Sequence, residues 1–371
     1  MKFSCEKALL KEAVNTASRV AAQKSSIQAL EGLLLQAGSQ LSITGYNMQT
    51  GIRTLLDADI TEAGSIVLNA KLFGDIIYKM PDDMVVFSAD DKMTVHLSCG
   101  NADYEIMGLS AEDYPELPSV EETNGFSMQQ RTMKAMIDQT LFAVSTNSEI
   151  RPIQTGMLFE IKNDSLTMVA VDGFRLAYRK EPLEKTGDNQ FSFVAPSAAL
   201  GEVQKICNDV DDPIFASLGK RHISFKMGDT QLICRQLDGE FLDYQTAIPR
   251  KNPIILTVDK KNLIESVDRV SVLISEKLKS PVRCLFEQDQ VTLSAKTANG
   301  ISKDICHLSG DGNHLEIGFN NRYLIEALRH APADTVRIEL NTNVSPAVIV
   351  PADEQENFLY MILPVRLKAQ D

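Results

Sequence analysis

The chain lacks the features that mark membrane, secreted and most catalytic proteins. No apolar run approaches the roughly 20 residues that a membrane-spanning helix needs, and no tract is of low complexity. The N-terminus, MKFSCEKALLKEA, carries charges where a secretory signal requires an unbroken apolar segment, so a soluble, cytoplasmic protein with no membrane partner is expected. The six cysteines, Cys5, Cys99, Cys207, Cys234, Cys284 and Cys306, never form a CxxC pair and lie in apolar segments. There a reduced thiol behaves as a small hydrophobe, and neither a disulfide nor a zinc site is expected. The five histidines, His96, His222, His307, His314 and His330, are scattered without ligand spacing. There is no GxxxxGK[ST], no GxGxxG at a strand-to-helix junction, no GxSxG and no HExxH. The carboxylate pairs Asp82–Asp83 and Asp211–Asp212 follow apolar helical patterns and read as solvated turns. No catalytic residue, metal or cofactor is therefore expected.

What is present is a repeated pattern. At roughly 100 to 200 residues per domain, 371 residues hold two or three domains, and the 44% apolar, 23% charged composition is that of a globular protein. Three amphipathic helices are predicted from Cys5 (CEKALLKEAVNTASRV), Gln129 (QQRTMKAMIDQTLFAV) and Lys260 (KKNLIESVDRVSVLIS). In the first, Leu9, Leu10, Ala13, Val14 and Ala17 form a core stripe and Lys7, Lys11, Asn15 and Ser18 a wet one. A β-like run follows each: GLLLQ from Gly32, GMLFE from Gly156 and RCLFE from Arg283. A second helix recurs at AKLFGDIIYKM, PSAALGEVQKI and NRYLIEALRHA, at a repeat distance of about 125 residues, and further strand pairs follow it. Polar, Pro-containing joints at Pro115–Gly125 and Ile248–Pro253 predict three α+β domains, residues 1–124, 125–251 and 252–371.

The net charge of −13 argues against a nucleic-acid partner, because sequence-independent affinity comes from Lys and Arg neutralising phosphates. The charge is unevenly placed, however. The six predicted helices hold thirteen Lys and Arg against eight Asp and Glu, a balance of +5, leaving −18 for the rest. Such a chain can admit DNA on its helical faces, through backbone contacts without base readout, while repelling it elsewhere.

With the triplication in view, specific segments resemble the bacterial sliding clamp, the beta subunit of DNA polymerase III, over essentially the whole chain: MKFSCEKALL, RPIQTGMLFE from Arg151, VDGFRLA from Val171, FLDYQTAIP from Phe241 and YMILPVRL from Tyr360. The resemblance implies three tandem copies of a DNA-clamp domain, each with two helices packed on antiparallel sheets. It further implies a head-to-tail homodimer closed into a six-domain ring with helices lining the hole. Such a ring holds double-stranded DNA without sequence preference and has no catalytic site. It tethers the DNA polymerase III catalytic subunit, the clamp loader and other clamp-binding replication and repair proteins through a peptide pocket, and so confers processivity through effective concentration.

Carried over residue by residue, the resemblance places the peptide-binding pocket at Val171, Gly173, Phe174, Arg175, Leu176, Leu242, Thr246, Ala247, Pro346, Met361, Leu363, Pro364, Val365 and Arg366. It implies phosphate contacts at Lys11, Lys24, Lys71, Arg151 and Arg322. Subunit contacts fall at Tyr104 and Ile106 on one side and Val272 and Leu273 on the other. The chain departs from the family's commoner pattern at Val171 (often Thr), Phe174 (often His) and Leu242 (often Pro), which makes the pocket more apolar. Read from the residues alone, Asp172–Gly173 is equally a hairpin turn and Val272–Leu273 equally helix core. An enzyme and a protein-binding scaffold that never holds DNA are the other two classes. Turnover that survives opening of the assembly would mark the first, and loss of salt-sensitive DNA retention the second.

Overall fold

A computed structural model describes residues 1–120, 124–147, 149, 151–184, 190–274, 280–353 and 357–367. It divides into two compact units, one of residues 1–134 with 201–236 and the other of residues 135–200 with 237–371. The described helices are α1 (Lys7–Ser18), α2 (Ala70–Lys79), α3 (Gln130–Leu141), α4 (Ser197–Ile206), α5 (Tyr244–Ala247), α6 (Lys260–Ser271) and α7 (Asn321–His330).

One local arrangement occurs three times. Strands Lys2–Glu6, Asn124–Gln129 and Ile254–Asp259 each run straight into a helix and each pair antiparallel with a later strand, Met84–Ala89, Pro213–Leu218 and Thr335–Leu340. At each strand-to-helix junction the first helical N–H has no intrahelical acceptor. A turn aspartate satisfies it in every copy: the amides of Lys7, Gln130 and Lys260 donate to the carbonyls of Asp83, Asp212 and Asp334 at 3.1, 2.9 and 2.8 Å. The carboxylate pairs are thus built into helix starts. Lys7 Nζ reaches Asp82 at 2.6 Å and Arg131 Nε reaches Asp211 at 2.9 Å. Among the described residues, α2, α5, α6 and α7 also carry side-chain caps: Asn69, Asp243, Asp259 and Asn320 accept from the amides of Leu72, Thr246, Asn262 and Arg322.

The N-terminal boundary differs from the periodic reading. Cys5 lies in the strand Lys2–Glu6, because that strand is paired on both sides, with Asp59–Glu62 and with Met84–Ala89. Helix α1 buries Leu10, Ala13, Val14 and Ala17 as its pattern requires, but it also buries Lys7 and leaves Leu9 exposed. Lys7 tolerates burial because its ammonium is paired with Asp82 while its stem packs, which a helical wheel cannot reveal.

In the first unit, a five-stranded sheet holds Lys2–Glu6 and Met84–Ala89, with Ala102–Met107 at one edge. An eight-stranded sheet joins first-copy to second-copy strands where Thr50–Leu56 pairs with Thr230–Arg235. Phe3, Phe73, Phe87, Leu33, Leu35 and Ile43 are among the core of the first copy, with the Phe3 and Phe87 rings stacked at 4.6 Å. In the second unit, one ten-stranded sheet joins second-copy to third-copy strands where Arg175–Pro182 pairs with Phe358–Ile362. Its other end is a long hairpin, Val282–Thr297 with Gly300–Phe319. All six cysteines are free and buried. Among the described residues no helix is long and apolar enough to cross a membrane, and no group of His, Cys, Asp and Glu is placed to hold a metal.

Candidate peptide site, basic residues and free sheet edges

The expected pocket residues lie within the second unit. Strands Ser165–Val171 and Arg175–Pro182 form a hairpin whose last pair is Val171 with Leu176. Its turn is fixed by Asp172, whose Oδ1 accepts from the amides of Phe174 and Arg175 at 2.9 and 3.0 Å, and by Gly173 at φ +88°, a value that favours glycine. The second hairpin strand pairs with Phe358–Ile362, placing Leu176 opposite Met361. The segment after strand Thr230–Arg235 folds over this face as α5, capped by Asp243. Val171, Leu176, Tyr244 and Met361 are buried in one apolar cluster, and Phe241 and Ala247 pack against it.

The rim is built by the turn and the C-terminal segment. The amide of Leu363 donates to the carbonyl of Phe174 at 2.8 Å, and that of Val365 to Gly318 at 2.8 Å. Beyond Ile362 the chain leaves the sheet, with Leu363, Pro364 and Val365 half-buried and Arg366 exposed. Arg366 thus needs no place in a core. Pro346 is half-buried immediately before strand Ala347–Pro351, whose first residue pairs with Ile362. Leu242 and Thr246 lie exposed on the covering segment. Phe174 is 60% exposed and stacks on Tyr323 with ring centroids 6.2 Å apart. The surface combines buried aliphatic walls with an exposed aromatic and the exposed polar side chains of Thr246 and Arg366, which suits a short apolar peptide.

Arg175 organises this rim although it is only 6% exposed. Its guanidinium pairs with Asp172 at 2.9 Å and with Glu326, donates to the carbonyl of Phe142 at 2.6 Å, and lies 4.5 Å from the Tyr323 ring centre. Burial, then the carboxylate of Asp172, pushes the Tyr323 hydroxyl above its ordinary range. The sequence singles out Asp172 only as a turn residue, and Tyr323, Glu326 and Phe142 not at all. The one available signal was Arg175 itself, since an arginine inside an apolar strand needs counterions; which residues supply them is a matter of tertiary contact.

The basic residues separate by unit. In the first, Lys11 on α1 lies 4.8 Å above the Tyr78 ring, Lys71 is exposed in the first turn of α2, and Lys24 is exposed after α1. In the second, Arg151 is exposed before the short turn Pro152–Thr155, and Arg322 is exposed on α7 with Nε 3.6 Å from Glu326.

The expected subunit contacts lie at free strand edges or beside them. Ala102–Met107 ends the five-stranded sheet, with Tyr104 and Ile106 half-buried on its core and Met107 exposed. In the second unit α6 ends at Ser271, so Val272 is 81% exposed and is not helix core, while Leu273 approaches Gly300. The strand starting at Gly300 pairs with Val291–Thr297 on one side and presents Ile301 and Ile305 to solvent.

Models of three domains of one family match the chain in order: DNA polymerase III beta subunit N-terminal domain over residues 1–118, central domain over 127–243 and C-terminal domain over 245–366. The beta sliding clamp of Synechococcus elongatus is 30% identical over 378 residues, covering 100% of both chains. That of Halalkalibacterium halodurans is 28% identical, covering 99% of this chain and 100% of its own. Among solved structures, the DNA polymerase sliding clamp of Bacillus subtilis matches at a TM-score of 0.94 with 27% identity, over 99% of this chain and 100% of that one. Repeat, fold and relatives agree, and the chain belongs to the bacterial DNA polymerase III beta subunits, the beta sliding clamps.

Proposed function

We propose that two copies of this chain, each of three domains with boundaries near 124/125 and 251/252, join head to tail in a closed ring around duplex DNA. As a sliding clamp the protein serves DNA replication as a non-catalytic processivity factor.

The observation that carries the ring is the pair of unfilled strand edges. Thr50–Leu56 is completed by Thr230–Arg235, and Arg175–Pro182 by Phe358–Ile362. In the same pattern, residues 300–308 occupy the place of Thr50–Leu56 and, before Ser309 pairs with Thr257, have no second partner strand among the described residues, while Ala102–Met107 occupies the place of Thr230–Arg235 and ends its sheet. Pairing these edges between two copies applies the same rule twice more. It removes exposed edges that would otherwise template aggregation. Tyr104 and Ile106 then meet Val272 and Leu273 at the junction.

Lys11, Lys24, Lys71, Arg151 and Arg322 serve as phosphate contacts on the DNA-facing side. Retention comes from enclosure, so each of them contributes little alone. The pocket around Leu176, Met361 and Phe174 holds the peptide of the polymerase catalytic subunit, the clamp loader and other replication and repair proteins in turn, all in the cytoplasm. Sedimentation tests the ring. The wild-type chain is expected at twice 41.0 kDa and the Val272→Ala, Leu273→Ala variant as a monomer, each truncation costing about 1 to 4 kcal/mol of association. A variant that stays dimeric at the same concentration contradicts the assigned contact.

A further inference from the structure

The repeats put corresponding residues at corresponding ladder positions, and one such row has changed chemistry. In the second copy the row reads Leu158, Val169, Tyr178 across three strands. The covering segment brings Tyr244 over it, with the two tyrosine rings 6.0 Å apart and the Tyr244 hydroxyl donating to Glu160 at 2.7 Å. That space is filled by aromatic packing. In the first copy the same row reads Leu34, Thr44, Arg53, and the covering segment brings Tyr114, whose hydroxyl donates to the carbonyl of Thr44 at 3.2 Å. Valine is replaced by threonine and the filling tyrosine by arginine.

The result is a cavity of about 660 Å³ between the sheet and residues 110–117. Two of its polar groups are unsatisfied. Thr44 is 1% exposed, and its Oγ1 has no hydrogen-bond partner among the described residues. Arg53 Nε is buried and likewise has no acceptor, and among the described residues no carboxylate pairs with Arg53. Because Thr44 and Arg53 are direct cross-strand partners, their donors face the same space. Buried donors are normally paired, and a guanidinium beside a hydroxyl is a carboxylate or phosphate receptor.

We propose that this cavity binds a small organic monocarboxylate, its charge held by Arg53 and Thr44 and its apolar body against Leu34, Tyr114 and Leu117. A single charge is favoured because one guanidinium faces the ligand while Glu112 and Glu116, both exposed, line the same cavity and repel a dianion. The site is separate from the peptide pocket and does not depend on it.

Benzoate, benzamide and inorganic phosphate, titrated into the full-length protein carrying labelled leucine methyls, test the assignment. Benzoate is expected to shift the Leu34 and Leu117 methyls saturably, with benzamide and phosphate at least about tenfold weaker, a difference of about 1.4 kcal/mol. Arg53→Gln is expected to abolish the benzoate shift. Thr44→Val, which keeps side-chain shape, is expected to weaken it several-fold and decides the matter should Arg53→Gln not fold. The proposal is overturned if benzoate gives no saturable shift, if benzamide or phosphate binds as well as benzoate, or if Thr44→Val and a folded Arg53→Gln bind like the wild type.

Discussion

Replacing Arg175 by alanine removes two ion pairs, a hydrogen bond to Phe142 and the stack on Tyr323 in one step. The cost is dominated by what is left behind. The Asp172 side chain is 11% exposed and loses its charged partner, whereas Glu326, at 31%, can recover water. Breaking a buried pair from one side typically costs about 3 to 5 kcal/mol. Asp172 keeps two backbone donors, at Phe174 and at residue 175, so the lower end, about 3 kcal/mol, applies. For a cooperative unit of about 200 residues that corresponds to a fall of roughly 6 to 12 °C in melting temperature. Calorimetry of the full chain should show this shift in the transition of the second unit. Arg175→Lys, which keeps the charge and loses the planar fork, should fall between the two. Peptide affinity should drop at least about tenfold in Arg175→Ala, because the turn bearing Phe174 loses its anchor. A melting temperature within about 2 °C of the wild type would mean that the buried guanidinium does not hold the turn.

Deleting Leu363–Asp371 removes the Leu363 and Val365 backbone bonds but leaves strand Phe358–Ile362 in its sheet. Fluorescence anisotropy should then show loss of polymerase and loader peptide binding while sedimentation still shows a dimer; surviving peptide affinity would contradict the pocket. Burial pushes the thiols of Cys5, Cys207 and Cys234 from an ordinary 9.0 up to about 12. Raised thiols contribute stability in full below pH 9, and it is lost as the pH climbs through about 12, so melting temperature should fall across that window and fall less in Cys234→Ala. By the same burial, iodoacetamide at pH 8 should label all six cysteines after denaturation and none in the native protein. Without the loader and ATP, the closed ring should not pass onto circular DNA efficiently, and rapid unassisted loading in a gel-filtration assay would count against closure.

The triplication was legible because each copy repeats the same alternation of periods, helical in CEKALLKEAVNTASRV and strand-like in GLLLQ, whatever the residues are. Helix starts were legible less well. Strand Lys2–Glu6 continues directly into α1, so one apolar pattern runs through a change of structure, and pairing with Met84–Ala89 decides where it changes. Burial of Lys7 was hidden for a related reason, since its partner Asp82 is 75 residues away. At the peptide site the apolar walls could be read from strand alternation. The Asp172–Arg175–Glu326 arrangement could not, because it joins a turn to a helix 151 residues distant. The resemblance supplied Val272 and Leu273, and the exposure of Val272 past the end of α6 excludes helix core for it, a boundary that periodicity alone leaves open.

Enclosure of DNA is tested by retention on a nicked circular plasmid compared with the same plasmid linearised. After loader-driven assembly, the protein should stay on the circle at high salt and leave the linear form by its ends, because topology resists screening whereas phosphate contacts do not. Equal, salt-dependent loss from both forms would contradict the account.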